Sequence, residues 1–252
     1  MAGNTSQPGA SVISRTMALL TAFDDTHPQL SLTELARRAD LPVPTAHRLL
    51  AELARLRAMH RTKSGQYVIG RQLWDVGLLA PVQTGLREIA SPFLHDLYAA
   101  TLATVHLAVR DGTEVLYLDR LGGKSSVPVV SKVGSRLPLF ATGVGKVLLA
   151  HAPEPVCAEV FSELRRITPY TITQPARLRS QLNRVIADGY ATTVEEMSLG
   201  ACSVGVPIRQ GDDVVAALGI VVASLKRDKA QLVTALKVTA HGISRSLHAN
   251  VD

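Results

Sequence analysis

The segment 31–70 most narrows the folds open to this chain, because two short amphipathic helices joined by a tight turn precede a basic β-hairpin. Ser31 and Glu34 have the spacing of a capping box, in which the serine side chain accepts a hydrogen bond from the first turn and the glutamate reaches back. Pro42 disfavours a helical conformation in the residue before it, and Pro44 is tolerated in the first turn of the next helix. This order predicts a winged helix-turn-helix, which places its second helix in the major groove of DNA.

The second helix of that motif turns a stripe of leucines inward and leaves polar side chains near its start facing outward. Residues 44–63 carry five basic side chains and one acidic one, an excess suited to phosphate. An ordinary solvated helix face is the alternative interpretation, but the coincidence with a groove-binding motif favours DNA. The residues predicted to contact DNA are Pro44, Thr45, His47 and Arg48 on the helix and Arg61 and Lys63 on the hairpin.

The chain of 252 residues is long enough for two domains, and 46% hydrophobic with 19% charged residues describes a globular protein. Apolar residues at helical spacing begin near Val12, and Pro81 ends a further helical pattern. The predicted parts are a disordered tail (1–10), a winged helix-turn-helix domain (11–70), a linker helix (71–83) and an effector-binding and oligomerisation domain (84–252).

The second domain alternates helical and strand patterns, which predicts an α+β fold on a mostly antiparallel sheet. An Asp-Gly pair at 111–112 lies between two β-rich runs and indicates a hairpin. The predicted strands are 104–110, 114–119, 127–133, 202–208 and 214–223, and the predicted helices are 86–97, 143–150, one after Pro155, 178–186 and 229–248.

Three stretches carry a resemblance to a known family. They are LTELARRADLPVPTAHRLLAEL, RLPLFATGVGKVLLAH and DGYATTVEEMSLGACSVGVPI, in this order. They resemble the helix-turn-helix, the Gly-x-Gly-Lys signature and the Gly-Tyr…Glu-Glu…Gly…Pro block of the IclR family of bacterial transcription regulators, and the resemblance covers nearly the whole chain. It implies a GAF-like effector domain, dimers or tetramers, and a small-molecule inducer or co-repressor.

The resemblance also implies an effector pocket, at positions carried over one by one. These are Ser126, Val129, Gly143, Val144, Thr193, Ser203, Gly219 and Val221. Members that bind small oxo-acids offer a carboxylate, a thiol and hydroxyls there, whereas this chain has a less polar set and a glycine at 219 that predicts a roomier pocket. Unpaired charged groups are costly to bury, so a larger, partly apolar effector such as an aromatic acid or lactone is expected.

Enzymatic chemistry finds little support in the motifs. The GVGK run at 143–146 lacks a Walker A motif, because Phe140 and Val147 stand where a glycine and a hydroxyl residue are required. It predicts instead a helix N-terminus whose amides can hold an effector carboxylate. Residues 201–205 approach a nucleophile elbow, but Val206 and Pro207 continue the strand and argue against a hydrolase.

The remaining titratable residues also favour structural roles. No histidine pair has metal-ligand spacing, and the adjacent Glu195 and Glu196 are expected to cap or pair structurally rather than form an acid/base couple. Cys202 neighbours Ser203 and should face the opposite side of its strand. We therefore expect no enzyme activity, no cofactor and no metal.

The expected partners are a double-stranded DNA operator, a small-molecule effector and further copies of the chain, without a membrane. No signal peptide or bilayer-length apolar run is seen, which favours the cytoplasm and reduced thiols. Two alternatives stay open at this stage: a ligand-sensing module whose winged domain mediates protein contacts, and a redox sensor based on Cys202.

Overall fold

A computed structural model describes residues 11–24, 26–77, 84–123, 127 and 130–249. The chain divides into two compact units, Met1–Val82 and Gln83–Asp252. The expected tail (1–10) and the end of the expected linker helix (78–83) lie outside the described residues.

The first unit contains short helices and one hairpin. Its elements are α1 (Val12–Thr21), α2 (Leu32–Arg38), α3 (Val43–Arg55), β1 (Met59–Arg61), β2 (Tyr67–Ile69) and α4 (Arg71–Gly77). The capping box is confirmed, because Glu34 N donates to Ser31 Oγ at 3.3 Å while Ser31 N donates to Glu34 Oε2 at 2.8 Å. Asp40, at φ +51°, turns the chain from α2 towards α3. Leu19, Leu35 and Leu50 are buried in one core that fixes α3 against α1 and α2.

The second unit is an α+β domain, as predicted. Its helices are α5 (Thr84–Thr101), α6 (Gly143–Ala150), α7 (Glu154–Ser162), α8 (Pro175–Asp188) and α9 (Lys229–Ala249). Its strands are β3 (Thr104–Asp111), β4 (Glu114–Leu121), β5 (Arg136–Pro138), β6 (Ala191–Val194), β7 (Cys202–Gln210) and β8 (Asp213–Val222). They form a sheet in the order β5-β4-β3-β8-β7-β6, with every neighbouring pair antiparallel.

The sheet separates two apolar cores, because successive side chains of a strand point to opposite faces. On one face, which we call the α9 face, Val105 and Leu107 of β3 pack with the side chains of α5 and α9. On the other, the α6 face, Ala108 and Tyr117 pack with Val144 and its neighbours on α6. Helices therefore cover both faces of the sheet.

The predicted strands differ from the structure in two respects. In the predicted strand 127–133, the described residues 127 and 130–133 form no strand, and Val130 and Val133 are exposed. The edge of β4 pairs instead with β5, and Gly134 N donates to Tyr117 O at 2.8 Å. The β-branched residues of 127–133 favoured a strand, but the tertiary structure gives that edge to β5. The edge strands β5 and β6 were not predicted. The hairpin indicated by Asp111 and Gly112 is confirmed, with Asp111 paired with Glu114.

Candidate nucleic-acid surface and ligand cavity

The outward face of α3 carries the predicted DNA-contacting residues. Pro44, His47 and Arg48 are exposed and Thr45 is half-buried. They face outward because the apolar positions Ala46, Leu49, Leu50 and Leu53 point into the core of the first unit. The helix thus presents a polar N-terminal surface on a rigid support, which is the geometry that major-groove reading requires.

The β1–β2 hairpin adds two exposed cations. Arg61 lies over the ring of Tyr67, with its guanidinium carbon 5.7 Å from the ring centroid, and its Nε donates to Gly65 O at 3.3 Å. Lys63 is exposed at the turn, which Gly65 makes with φ +83°. In the described part of the chain, no carboxylate forms an ion pair with Arg61 or Lys63, so both charges are available to phosphate.

A cavity in the second unit lies between the α6 face of the sheet and the start of α6. It holds about 480 Å³ of space, counting the part open to solvent, and is therefore a place for a small molecule at most. Its wall is mostly apolar, with polar side chains at two ends. The described residues that line it include Tyr117, Val130, Leu137, Thr142, Met197, Ser198, Ala201 and Ile220.

Of the eight predicted effector positions, six line this cavity: Gly143, Val144, Thr193, Ser203, Gly219 and Val221. Ser126 and Val129 lie outside the described residues. The expected extra room at Gly219 is not found. A Cβ built there would lie 2.5 Å from Val144 Cγ1, because the valine side chain already occupies that space.

One polar end of the cavity is a short hydrogen-bonded chain. The hydroxyls of Thr193 and Ser203 lie 2.6 Å apart, and Gly143 N donates to Ser203 Oγ at 3.0 Å. Gly145 N donates to Thr142 Oγ1 at 3.0 Å. The expectation of open α6 amides is therefore wrong for these two, since side chains of the protein already accept their hydrogen bonds.

The other polar end centres on His106, which is not among the predicted effector positions. Its Nε2 lies 2.8 Å from Ser131 Oγ, and its ring meets the ring of Tyr117 edge-on at 5.0 Å between centroids. Burial, and secondly the charge of Arg120, lower the pKa of His106 to about 3, so the imidazole is neutral. Its place beside Gly219 follows from the β3–β8 register, which alternation along a single strand does not reveal.

Lys146 of the GVGK run is not available to bind a phosphate. It is 1% exposed, and its Nζ donates to Glu196 Oε1 at 2.6 Å and to Gln181 Oε1 at 2.6 Å. Glu195 Oε1 accepts a hydrogen bond from Gly200 N at 2.6 Å. Both glutamates therefore pair structurally, as predicted.

The two cysteines show no sign of activation. Cys157 and Cys202 are buried, and desolvation raises the pKa of each thiol. Cys202 Sγ lies 3.6 Å from Ala223 O, and its side chain is not part of the cavity lining, in keeping with its predicted orientation. A raised pKa disfavours the reactive thiolate, which removes support from the redox alternative.

Within the described ranges, no cluster of three His, Cys, Asp or Glu side chains could hold a metal ion. No helix among them is long and apolar enough to cross a membrane.

A winged helix-turn-helix joined to a domain with a small-molecule cavity defines the class of ligand-responsive DNA-binding regulators. Two family models match the chain: the IclR helix-turn-helix domain over residues 12–61 and the bacterial transcriptional regulator IclR C-terminal domain over residues 80–245. The chain therefore belongs to the IclR family of bacterial transcriptional regulators.

Individual relatives agree with this assignment. The chain is 32% identical to the HTH-type transcriptional repressor AllR of Salmonella typhi, covering 86% of this chain and 81% of that protein. It is 30% identical to the regulator KipR of Bacillus subtilis, covering 84% and 85%.

Among solved structures, an IclR homolog from Microbacterium hydrocarbonoxydans complexed with 4-hydroxybenzoate matches with a TM-score of 0.90. The two are 32% identical, and the match covers 95% of this chain and 100% of that one. The Thermotoga maritima IclR matches with a TM-score of 0.75 and 31% identity, covering 94% and 98%. The chain is thus a DNA-binding transcriptional regulator with an effector-binding domain.

Proposed function

We propose that this regulator binds a small, partly apolar organic effector, an aromatic acid or lactone, in the cavity beneath α6, and that the bound effector changes its affinity for operator DNA. The observation that carries the proposal is the cavity lining, which combines the apolar Val144 and Val221 with the Thr193–Ser203 hydroxyls and His106. An apolar middle with a few placed polar groups is what a small organic ligand requires. The relative solved with 4-hydroxybenzoate supports an aromatic ligand.

The DNA-binding part of the proposal assigns sequence reading to α3 and backbone contacts to the hairpin. Thr45, His47 and Arg48, with Pro44 at their side, face the bases, and Arg61 and Lys63 bind phosphate. The active species is a homodimer or homotetramer, because one helix reads only a half-site and two-fold repetition supplies the second. The proposal places the protein in the cytoplasm, where operator DNA lies.

The test is a gel-shift titration of the full chain on the DNA upstream of its own coding region, with and without 4-hydroxybenzoate as the probe. We expect a discrete complex at nanomolar protein, and a change of about tenfold or more in DNA affinity when the probe is present. Acetate at the same concentration is the matched ligand control, because it has the carboxylate without the apolar body.

Three results would count against the proposal. Equal affinity for the upstream DNA and for random DNA of the same length would reject a specific operator in the upstream DNA. Unchanged DNA affinity with saturating probe would reject the aromatic effector. A single-chain mass of the full chain in light scattering would reject the oligomer.

A further inference from the structure

Two buried polar atoms close to cavity-lining residues have no hydrogen-bond partner among the residues that the structure describes. Thr104 is fully buried, and its Oγ1 makes no hydrogen bond with any described residue. The Nε of Arg120 is likewise buried and without a hydrogen-bond partner in the described part of the chain. Nearly all buried polar groups in proteins are hydrogen-bonded, so a pair of exceptions at neighbouring positions calls for an explanation.

The strand register places both residues on the α6 face, next to His106. His106 is paired with Arg120 on β4 and with Gly219 on β8, and Thr104 is paired with Val221. Residues directly opposite each other in antiparallel strands project to the same face, and so do residues two apart along one strand. His106, Gly219 and Val221 line the cavity. Thr104 and Arg120 are not among the lining residues, but they are the register neighbours of Val221 and His106 on the same face of the sheet.

The charge of Arg120 also has no counter-ion within the part of the chain that the structure describes. Asp119, its neighbour on β4, projects to the α9 face, where its Oδ2 lies 3.3 Å from Arg87 Nε. No ion pair joins Arg120 to a carboxylate among the described residues. His106 is neutral, because burial first and the charge of Arg120 second lower its pKa, so it adds no positive charge beside the guanidinium.

We propose that Thr104 and Arg120 form a polar subsite at the His106 end of the cavity, which binds the carboxylate of an aromatic acid. The guanidinium supplies a charged hydrogen bond to one carboxylate oxygen, and the Thr104 hydroxyl donates another. Both orphaned groups thereby gain a partner. This inference rests on the proposed function and narrows it from an acid or lactone to an acid.

The opposite polar end suits the far side of such a ligand. Ser203 and Thr104 lie two strands apart on the same cross-strand row, a separation of about 10 Å. A single aromatic ring with a carboxylate at one end and a hydroxyl at the other bridges this separation. The apolar ring then lies over Val221 and Val144.

The test compares 4-hydroxybenzoate with its methyl ester, which has the same ring and hydroxyl but no charge. Calorimetric titrations use the full chain, Arg120→Met and, as the matched control, Arg110→Met, which removes an exposed arginine at the far end of β3. The wild type and Arg110→Met should prefer the acid. Arg120→Met should weaken acid binding by at least about tenfold and leave ester binding unchanged.

Thr104→Val provides a readout that a merely structural role would not give. Valine keeps the shape and removes the orphaned hydroxyl, so the melting temperature without ligand should stay the same or rise, while acid binding weakens about three- to tenfold. A lower melting temperature with unchanged acid affinity would overturn the subsite.

These outcomes distinguish a failure of the Thr104–Arg120 subsite from a failure of the proposed effector cavity. If the wild type binds both probes and Arg120→Met keeps the same acid-to-ester ratio, the subsite is wrong and the effector cavity stands. If the wild type prefers the ester, the carboxylate assignment is wrong. If the wild type binds neither probe, the subsite and the aromatic effector are both rejected.

Discussion

At the scale of single residues, the contact between Val144 and Gly219 sets the shape of the cavity. A side chain at position 219 would meet Val144 Cγ1, and a β-branched valine on a helix has little rotamer freedom to move aside. The glycine on β8 therefore allows α6 to approach the sheet, and its role is packing of α6 rather than extra ligand space.

The first prediction concerns that contact. Gly219→Ala should lower the free energy of unfolding by about 1–3 kcal/mol, because overpacking forces Val144 or the backbone to shift. Adding Val144→Ala should recover much of this loss, since it removes the methyl that the new Cβ meets. Urea denaturation of the two single variants and the double variant measures the coupling, and strictly additive losses would refute the contact.

Gly205→Ala is a useful comparison. Its Cβ would lie 2.6 Å from Gly143 C and Gly143 O, which are backbone atoms and cannot be trimmed by substitution. It should therefore destabilise the protein more than Gly219→Ala does, and Val144→Ala should rescue it less.

The second prediction concerns His106, which is neutral in the fold because its pKa is lowered from 6.5 to about 3, by burial first and by Arg120 second. The unfolded chain binds a proton on this residue below pH 6.5, so the stabilisation is present above pH 6.5 and is lost as pH falls towards 3. The free energy of unfolding should decrease with a slope approaching about 1.4 kcal/mol per pH unit below 6.5.

The window between pH 6.5 and 5 tests this, because carboxylates contribute little there. His106→Gln should flatten the slope, whereas the exposed His95→Gln should leave it unchanged. An unaltered slope in His106→Gln would assign the pH dependence to other groups.

At the scale of elements, the segment 195–201 is anchored at its start to the loop between α7 and α8 and to α6. Thr168 Oγ1 donates to Glu195 O at 2.7 Å, Thr171 Oγ1 donates to Glu196 O at 2.7 Å, and Lys146 binds the Glu196 carboxylate. Residues further along the segment, Met197, Ser198 and Ala201, line the cavity. The Lys146–Glu196 pair thus connects α6 to one wall of the cavity.

The third prediction breaks this pair. Lys146→Met leaves the Glu196 carboxylate buried without its counter-ion, which should cost about 3–5 kcal/mol of unfolding free energy at neutral pH. Desolvation raises the pKa of Glu196, so the variant's carboxyl should take up a proton as pH falls. The stability deficit relative to wild type should therefore grow as pH rises above about 4.5 and should be smaller at pH 5 than at pH 8.

The matched comparison is Lys146→Met with Glu196→Gln, which removes the unpaired charge. It should be more stable than Lys146→Met at pH 8 and should lose the pH dependence of the deficit. A deficit independent of pH in the single variant would show that lost packing, not the unpaired carboxylate, is responsible.

The fourth prediction separates the recognition helix from the hairpin. Arg48→Ala should weaken operator binding by about 1–3 kcal/mol per half-site and reduce the preference over random DNA, because a base contact is lost. Arg61→Ala or Lys63→Ala should weaken all sequences alike and reduce the slope of log affinity against log salt by about 0.9 per contact.

Gel-shift titrations at several salt concentrations distinguish these effects, with circular dichroism to verify the fold of each variant. If Arg61→Ala altered sequence preference and kept the salt slope, the hairpin would be reading bases. If Arg48→Ala kept the preference, α3 would not be the recognition helix.

At the scale of the whole molecule, local signals in the sequence predicted the helices and hairpins well. The capping box at Ser31, the Pro42 turn and the hairpin at Asp111 and Gly112 act over a few residues, and each is where the sequence indicated it. Strands β5 and β6 are edge strands of three and four residues, which give too short an alternating pattern to recognise.

The residues of the candidate site were predictable where family motifs or a single strand indicate them. They were not predictable where their proximity depends on the register between several strands. Ser203 and Gly219 came from the family motifs and line the cavity. The relation of His106 to Arg120 and Gly219 depends on which strands pair and in what register, and a bulge between Leu107 and Ala108 shifts that register. Sequence periodicity alone does not contain this information.

The fifth prediction follows from the way the cores divide. The first unit has its own core, built around Leu19, Leu35 and Leu50, and the apolar cores on both faces of the sheet are made entirely by the second unit. The fragment 84–252 should therefore fold by itself, unfold in one cooperative transition and bind 4-hydroxybenzoate with the affinity of the full chain. It should not bind operator DNA, because it lacks α3 and the hairpin.

Circular dichroism, thermal unfolding and calorimetry of the fragment test each part in turn. Fragment 84–252 carrying Arg120→Met serves as the control for ligand binding, since it should fold equally well and lose affinity for the acid. If the fragment folded but only the full chain bound the probe, the first unit would be required for ligand binding. A disordered spectrum would show that the second unit needs the first to fold, although their cores share no residue.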